Sequence, residues 1–233
     1  MSIAAAYPVF LDLEQRPVLI VGGGNVALRK TRGLVAALAR VTVVSPDFAA
    51  GFLEIKQIDR IQASYAATHM SKKMWRLVFA ATSDRAVNDT VQKHAAAHGI
   101  LCCRCDDPDL GDFAGGATWH SERGHVTVAV GTAGASPALA SRMRDAAAGA
   151  VDPILVAWAE LMGSWRKRAK HEVPDPVLRR ELLTRMAGEP MEACLRQQGA
   201  AAATALFEQW MCELRAAPPA KDAPFIRTRE NAE

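Results

Sequence analysis

The chain has 233 residues, of which 50% are hydrophobic, 23% are charged and 6% are aromatic. This composition is typical of globular proteins and excludes disorder as the main state of the chain. The formal net charge of +3 is too small to indicate nucleic-acid binding by itself. At roughly 100–200 residues per domain, the length fits one large domain or two small ones.

Cysteine usage and hydropathy bear on the cellular compartment. The five cysteines are an odd number, and three of them crowd together at Cys102, Cys103 and Cys105, which is not a disulfide framework for a chain of this length. The first eleven residues lack a basic segment and contain Pro8. The longest stretch without Asp, Glu, Lys or Arg, residues 124–141, is interrupted by glycine, threonine, serine and proline. We therefore expect a cytoplasmic protein with no signal peptide and no membrane span.

The first hundred residues alternate short apolar runs with helical patterns. Four runs are predicted as buried strands: Pro17–Val21, Val41–Val44, Leu77–Ala81 and Gly99–Cys105. Two segments between them, Asn25–Leu38 and Asp84–His98, are predicted as helices. Ile58–Tyr65 alternates too briefly to decide whether it forms an extra strand. This order predicts an α/β fold with a Rossmann-like, doubly wound parallel sheet and helices on both faces.

The character of the sequence changes after Asp107. A segment rich in Gly, Asp and Pro leads to a strand-like alternation at His125–Val130 and then to a helix start at Ser136-Pro137, with Ser136 as the N-cap. Beyond Pro153 the pattern is helical throughout. We predict a Rossmann domain at 1–112, a small central α+β domain at 113–150, an all-helical C-terminal domain at 151–215 and a flexible tail at 216–233.

The strongest chemical signal is the run Val21-Gly-Gly-Gly-Asn-Val-Ala27, which follows a predicted strand and opens a predicted helix. It fits the pattern G-x-G-x-x-A, in which Gly22 permits a tight turn and Gly24 leaves room for a pyrophosphate. The N-terminus of the helix would present free N–H groups to the phosphates. The run predicts a dinucleotide site, and the alternative is a glycine turn that binds nothing.

The residue that holds the ribose of a dinucleotide is expected at the end of the second strand. Ser45 has the place of the usual acid, and Asp47 comes two residues later. Because no Arg or Lys stands there to meet a 2′-phosphate, the sequence favours NAD over NADP, although Asp47 is equally well explained as a solvated loop acid. The candidate cofactor-binding residues are Gly22, Gly23, Gly24, Asn25, Val26, Ser45, Pro46, Asp47, Ala81 and Thr82.

Further segments carry a more specific pattern: Tyr7–Leu11, Leu19–Lys30, Val41–Asp47, Ala80–Asn88, Asp106–Pro108, Phe113 and Gly134–Ala140. In this order they resemble the precorrin-2 dehydrogenases, which also form the N-terminal module of siroheme synthase. The resemblance covers about residues 7–144. Its most specific part is Gly-x-Ser-Pro-x-Leu-Ala after an Asp-Pro and a Phe, since many dehydrogenases share the glycine pattern.

The resemblance implies the NAD-dependent oxidation of precorrin-2 to sirohydrochlorin, with a proton passing to a base. It implies a homodimer formed through the central domain, with the tetrapyrrole in a cleft beside the nicotinamide. Some members of the family also insert ferrous iron to give siroheme, and the sequence leaves this second activity open. The family's strand-end aspartate falls on Asp106. The candidate substrate-binding residues are Thr132, Gly134, Ser136 and Arg142.

The position of Asp106 alone also supports a functional role, because doubly wound sheets place ligands outside the carboxyl ends of their strands. A carboxylate desolvated beside a bound macrocycle would have a raised pKa, which suits it to accept a proton. The alternative is a loop acid that caps the turn before Pro108, and Asp107 is the neighbouring competitor. Likewise, the hydroxyl of Thr132 either lines the cleft or ties down a tight turn. The chain departs from the family pattern at three positions: Cys103, Gly116 and Gly131.

Neither a metal site nor nucleic-acid binding is expected. In an extended strand Cys103 and Cys105 share a face while Cys102 points the other way, and no further Cys or His spacing completes a tetrahedral site. Buried apolar cysteines explain the cluster better. Basic residues are not interleaved with aromatic ones as in a nucleic-acid stacking platform. Two other functions stay open: a non-catalytic NAD(H)-binding sensor or scaffold, and a dehydrogenase for a different substrate.

Overall fold

The computed structural model describes residues 7–216. Its strands are β1 (Pro17–Val21), β2 (Arg40–Ser45), β3 (Ile58–Gln62), β4 (Leu77–Ala80), β5 (Leu101–Arg104), β6 (Ala117–His120) and β7 (Thr127–Val130). Its helices are α1 (Asn25–Ala36), α2 (Ala67–Ser71), α3 (Arg85–Ala97), α4 (Pro137–Gly149), α5 (Pro153–Glu172), α6 (Pro176–Met186) and α7 (Glu189–Ala216). Two short 3-10 helices lie at Ala50–Glu54 and Pro108–Leu110. Residues 217–233, nearly all of the predicted tail, lie outside the described residues.

Strands β1 to β5 form one sheet in the order β3-β2-β1-β4-β5, and every neighbouring pair is parallel. The chain builds outward from β1 through β2 to β3, then returns and continues with β4 and β5 on the other side of β1. This confirms the predicted Rossmann-like, doubly wound sheet. The order of the strands reverses between β1 and β4, and such sheets bind ligands at that point, outside the carboxyl ends of the strands.

The central strand β1 is buried on both faces. Val18 and Ile20 pack in one apolar cluster with residues of α1, whereas Leu19 and Val21 pack in the opposite cluster with residues of α3. A parallel strand covered on both sides is a continuous apolar run, which explains why the sequence predicts it well. The segment left open at Ile58–Tyr65 contains β3, an edge strand that is only partly buried.

Helices α5, α6 and α7 pack around a separate apolar cluster, which confirms the predicted helical C-terminal region. Trp165 of α5 stacks on Phe207 of α7 with ring centroids 5.1 Å apart. Leu182 and Met186 of α6 are fully buried in the same cluster. Helix α7 is interrupted at Gly199, whose φ is 82°.

The chain divides into two compact units. Of the described residues, one unit contains 7–117 together with 129–143, and the other contains 118–128 and 144–216. The predicted boundaries at 112 and 150 do not coincide with this division, and the arrangement in three domains stays a prediction. Among the described helices, no single one is long and apolar enough to cross a bilayer, and the bent pair α4 and α5 meets that test only when both are counted together.

Candidate functional site

The loop after β1 is pressed against the end of β4 at Gly22. A Cβ atom added to Gly22 would lie 2.3 Å from the carbonyl oxygen of Ala81 and 3.0 Å from the backbone nitrogen of Thr82. The φ of Gly22 is 122°, in the region that L side chains rarely adopt. Its N–H donates to the carbonyl oxygen of Val44 at 2.9 Å. Only glycine therefore fits this position, and the reason is the fold itself.

The next two glycines differ from each other. A Cβ atom on Gly23 would lie 2.0 Å from the carbonyl oxygen of Asp47 and 2.7 Å from Oγ of Ser45. A Cβ atom on Gly24 would meet nothing within 4 Å, and the φ of Gly24, −79°, is open to any residue. The protein itself does not require glycine at position 24. Open space at this position is what a closely approaching pyrophosphate needs.

Helix α1 begins directly after Gly24, which has no side chain to cap it, and its first turn carries no acidic residue. Asn25 and Val26 are exposed at its start. The first N–H groups of a helix have no partner within the helix and carry the positive end of its dipole. This end of α1 is therefore suited to phosphate oxygens.

The loop after β4 is fixed by a buried asparagine. Oδ1 of Asn88 accepts from the backbone N–H of Thr82 at 3.1 Å and lies 2.8 Å from its hydroxyl oxygen, while Nδ2 donates to the carbonyl oxygen of Thr82 at 3.0 Å. The side chain of Asn88 holds Ala81 and Thr82 against the glycine loop. The predicted cofactor residues thus converge at the carboxyl ends of β1, β2 and β4.

Asp106 lies just beyond β5 and is held by a buried arginine. Nε and Nη2 of Arg104 donate to the two carboxylate oxygens of Asp106 at 2.9 and 2.8 Å. Nη1 donates to Oδ1 of Asp89 at 2.7 Å and to Oε1 of Gln92 at 2.8 Å, both on α3. The Arg104 side chain is 0% exposed and that of Asp106 is 24% exposed.

The arginine determines the protonation state of Asp106. Hydrogen bonds from Arg104 outweigh the effect of burial and lower the pKa of Asp106 to about 2, with a further contribution from Asn88. The pKa of Asp106 is therefore lowered in the protein as it stands, and the raised pKa expected beside a bound macrocycle stays a prediction. Sequence reasoning considered burial alone and gave Arg104 no role. The available signal was the spacing of the two residues, which places both side chains on one side of an extended strand.

Asp107, the neighbouring competitor, has a different environment. Its carboxylate pairs with Arg85 at 3.2 Å, and the two side chains are 31% and 67% exposed. Exposed pairs of this kind contribute little to stability. Of the two aspartates, Asp106 is the one that the structure positions.

The predicted substrate residues lie in the turn before α4 and in that helix. The backbone N–H of Ser136 donates to Oγ1 of Thr132 at 3.2 Å, and Oγ of Ser136 accepts from the backbone N–H of Leu139 at 3.2 Å. Both hydroxyls therefore fasten the turn and cap the helix, with Gly134 at φ 81° between them. Arg142 is exposed on α4. A role in substrate binding stays a prediction for all four residues.

The cysteines of β5 divide between the faces of the sheet. Cys102 is buried in the cluster that includes α3, where burial raises the pKa of its thiol to about 12. Cys103 is buried in the opposite cluster, and Cys105 packs against it. A hydrogen bond with Cys105 lowers the pKa of Cys103. Within residues 7–216, no group of three or more His, Cys, Asp or Glu side chains is placed to hold a metal ion.

Two family models match the chain in succession. Residues 9–117 match one described as "Putative NAD(P)-binding". Residues 155–210 match one described as "Sirohaem synthase dimerisation region". The second match falls on α5 to α7, whereas the family resemblance implies pairing through 113–150, and that assignment stays a prediction.

Curated relatives and a solved structure agree with these matches. The siroheme synthase of Methylococcus capsulatus is 37% identical over 205 residues, which cover 86% of this chain and 42% of the relative. That of Tolumonas auensis is 34% identical over 210 residues, covering 88% and 43%. The chain thus spans less than half the length of these relatives. A solved structure of SirC, a precorrin-2 dehydrogenase, has a TM-score of 0.67 and 24% identity, covering 89% of this chain and 99% of that one, and it shows a shared fold.

The match to the NAD(P)-binding model covers the five parallel strands and the glycine loop after β1. The N-terminal unit is an NAD(P)-binding domain, and the helices after it include a region matched to a dimerisation family. The chain is therefore a homologue of siroheme synthases, with one region that matches an NAD(P)-binding model and one that matches a sirohaem synthase dimerisation model.

Proposed function

We propose that the chain is an NAD-dependent precorrin-2 dehydrogenase, which forms sirohydrochlorin in siroheme or cobalamin-type tetrapyrrole synthesis. The observation that carries this proposal is the Asp106 carboxylate, which Arg104 holds in place beyond β5 of the sheet whose glycine loop leaves open space at Gly24. The names of the siroheme synthase relatives and of SirC support the choice of substrate.

The residues present fit a bound dinucleotide. The space beside Gly24 and the free N–H groups at the start of α1 would hold the pyrophosphate, and Ser45 to Asp47 would meet the adenosine ribose. NAD is proposed over NADP because Ser45, Pro46 and Asp47 include no basic side chain for a 2′-phosphate. When bound, the nicotinamide supplies the acceptor for a hydride from the macrocycle.

Asp106 would stabilise the positive charge that develops on the macrocycle and would accept the proton that the macrocycle loses. A macrocycle that loses a hydride becomes cationic, and a fixed carboxylate stabilises that positive charge as it develops. With a pKa of about 2, Asp106 is a weak base in the free protein. It therefore suits a proton that becomes acidic only once the hydride has left. The hydride would therefore leave before the proton, because Arg104 keeps the carboxylate ionised and weakly basic before substrate binds.

The pH dependence of turnover tests this protonation state. A carboxylate with a lowered pKa is ionised above that pKa and is lost as a base only when the pH falls through it. Because the pKa of Asp106 is about 2, we expect no acidic limb from this residue in kcat/KM between about pH 8 and pH 4. A limb with a midpoint near pH 6 that disappears in Asp106→Asn would contradict the low pKa.

The activity itself is tested by anaerobic incubation of the protein with enzymatically generated precorrin-2, with and without NAD. We expect the visible spectrum of sirohydrochlorin and the formation of NADH only when NAD is present. NADP in place of NAD should give slower turnover. If NAD binds and the spectrum does not change, the protein is either a sensor or scaffold or a dehydrogenase for another substrate, and the proposal is wrong.

We further propose that the protein is a cytoplasmic homodimer. The match of residues 155–210 to a dimerisation family supports pairing of two chains. All five cysteines are free thiols, which is usual in a reducing compartment. Light scattering on the purified protein would measure the mass directly, and a monomer at assay concentration would contradict the homodimer.

A further inference from the structure

Arg104 is a fully buried guanidinium, and the proposed reaction uses its positive charge only to keep Asp106 ionised. Arginine is almost never fully buried unless it is paired. Here every nitrogen of the guanidinium has an acceptor: two of them bind the two oxygens of Asp106, and the third binds Asp89 and Gln92 of α3. Both oxygens of Asp106 therefore accept a hydrogen bond from the same fixed cation.

The Arg104 guanidinium limits the access of a second cation to the carboxylate of Asp106. Bidentate pairs between arginine and a carboxylate are strong and directional, and this one is anchored from behind by Asp89 and Gln92. A divalent metal ion that approached Asp106 would compete with the guanidinium for the same oxygens and would be repelled by its charge. A developing positive charge spread over a macrocycle needs no such direct contact with the oxygens.

We propose that Arg104 is a specificity-determining residue, which confines Asp106 to the oxidation of the macrocycle and withholds it from divalent metal ions. This inference rests on the proposed function. It decides the activity that the sequence left open: the chain oxidises precorrin-2 and does not insert ferrous iron into sirohydrochlorin.

Metal insertion makes a different demand from oxidation. The ion replaces two protons of the macrocycle, so two N–H bonds break, metal–nitrogen bonds form, and the two protons pass to a base and to water. Nothing is oxidised or reduced. The base must take up these protons while a divalent ion stands beside it, and an ion that approaches Asp106 also meets the Arg104 guanidinium, which lies 2.8 Å from one of the carboxylate oxygens.

The test supplies sirohydrochlorin directly, with ferrous iron or cobalt(II) under anaerobic conditions, so that it does not depend on the dehydrogenase step. Wild type should metallate sirohydrochlorin no faster than the solution without protein. Arg104→Met removes the charge and keeps an unbranched side chain, and it should raise the rate about 10²-fold or more, the scale on which a positioned base acts. Arg104→Lys keeps the charge and should stay at the wild-type rate.

Each variant is first checked by its melting temperature and its NAD affinity, because Arg104 is buried. If Arg104→Met does not fold, Arg104→Gln takes its place, since its amide still donates a hydrogen bond to a carboxylate. Metal insertion by wild type above the spontaneous rate overturns the inference, as does a folded, NAD-binding neutral variant without a gain. Absence of NADH from precorrin-2 with wild type would overturn the proposed function instead, so the two failures are distinguishable.

Discussion

Replacing Asp106 by Asn is expected to lower kcat for precorrin-2 oxidation by about 10²–10⁴-fold, the usual contribution of a positioned acid or base. The affinity for NAD should not change, because the glycine loop and the start of α1 would hold the dinucleotide, and Asp106 belongs to neither. Asn keeps the size of the side chain and removes its negative charge and proton-accepting oxygen. Stopped-flow spectra of the macrocycle and calorimetric titration with NAD measure the two quantities separately.

Asp107→Asn is the matched control. It removes a carboxylate one residue away, in an exposed pair with Arg85, and should leave kcat near the wild-type value. Asp106→Asn also removes one of the two carboxylates that pair with Arg104 within residues 7–216, so some loss of stability is expected. Equal turnover by Asp106→Asn and wild type would show that Asp106 has no part in the chemistry, and a sensor would be indifferent to both changes.

Two glycine substitutions in the same loop should affect different properties, one the affinity for NAD and the other the stability of the protein. Gly24→Ala is expected to raise the Kd for NAD by about tenfold or more, because a methyl group forced into a packed contact costs roughly 1–3 kcal/mol. The melting temperature should not change, since the added Cβ meets no protein atom within 4 Å and the φ of −79° suits alanine. Calorimetric titration and a thermal melt measure the two effects.

Gly22→Ala serves as the contrast. Its Cβ would lie 2.3 Å from the carbonyl oxygen of Ala81, at a φ of 122°. Backbone strain of this kind costs of order 1–3 kcal/mol before the clash is counted, so the melting temperature should fall clearly. If Gly24→Ala binds NAD as wild type does, no phosphate approaches that position, and the loop is a glycine turn that binds nothing.

The sequence predicts much of the sheet and less of the elements around it. Strands β1, β2, β4 and β5 are found because each contains a short apolar run that is largely buried in the sheet. The five-residue helix α2 is missed because it is too short to show a helical period. Helix α1 ends at Ala36 rather than Leu38, because Leu38 turns the chain with a φ of 58° at a position where no glycine marks the end.

At the candidate site, too, the sequence predicts some features and the structure adds others. The glycine pattern predicts the loop, and the structure adds that Gly22 and Gly23 serve the fold while only Gly24 faces open space. For Thr132, the structure shows the hydroxyl fastening a turn with Ser136. For Asp106, the strand end predicts the position of the carboxylate but not its pKa.

The sequence alone determined four of the five parallel strands, the glycine loop and the resemblance to siroheme synthases. Each of these depends on short patterns of residues that are close together in the chain. Tertiary structure alone decided what anchors Arg104, whose hydrogen bonds lower the pKa of Asp106. Arg104 is buried among acceptors that α3 contributes, at Asp89 and Gln92, and these lie more than ten positions earlier in the chain. Ionisation depends on the distances between charges in space, and only the packing of α3 against β5 brings these charges together.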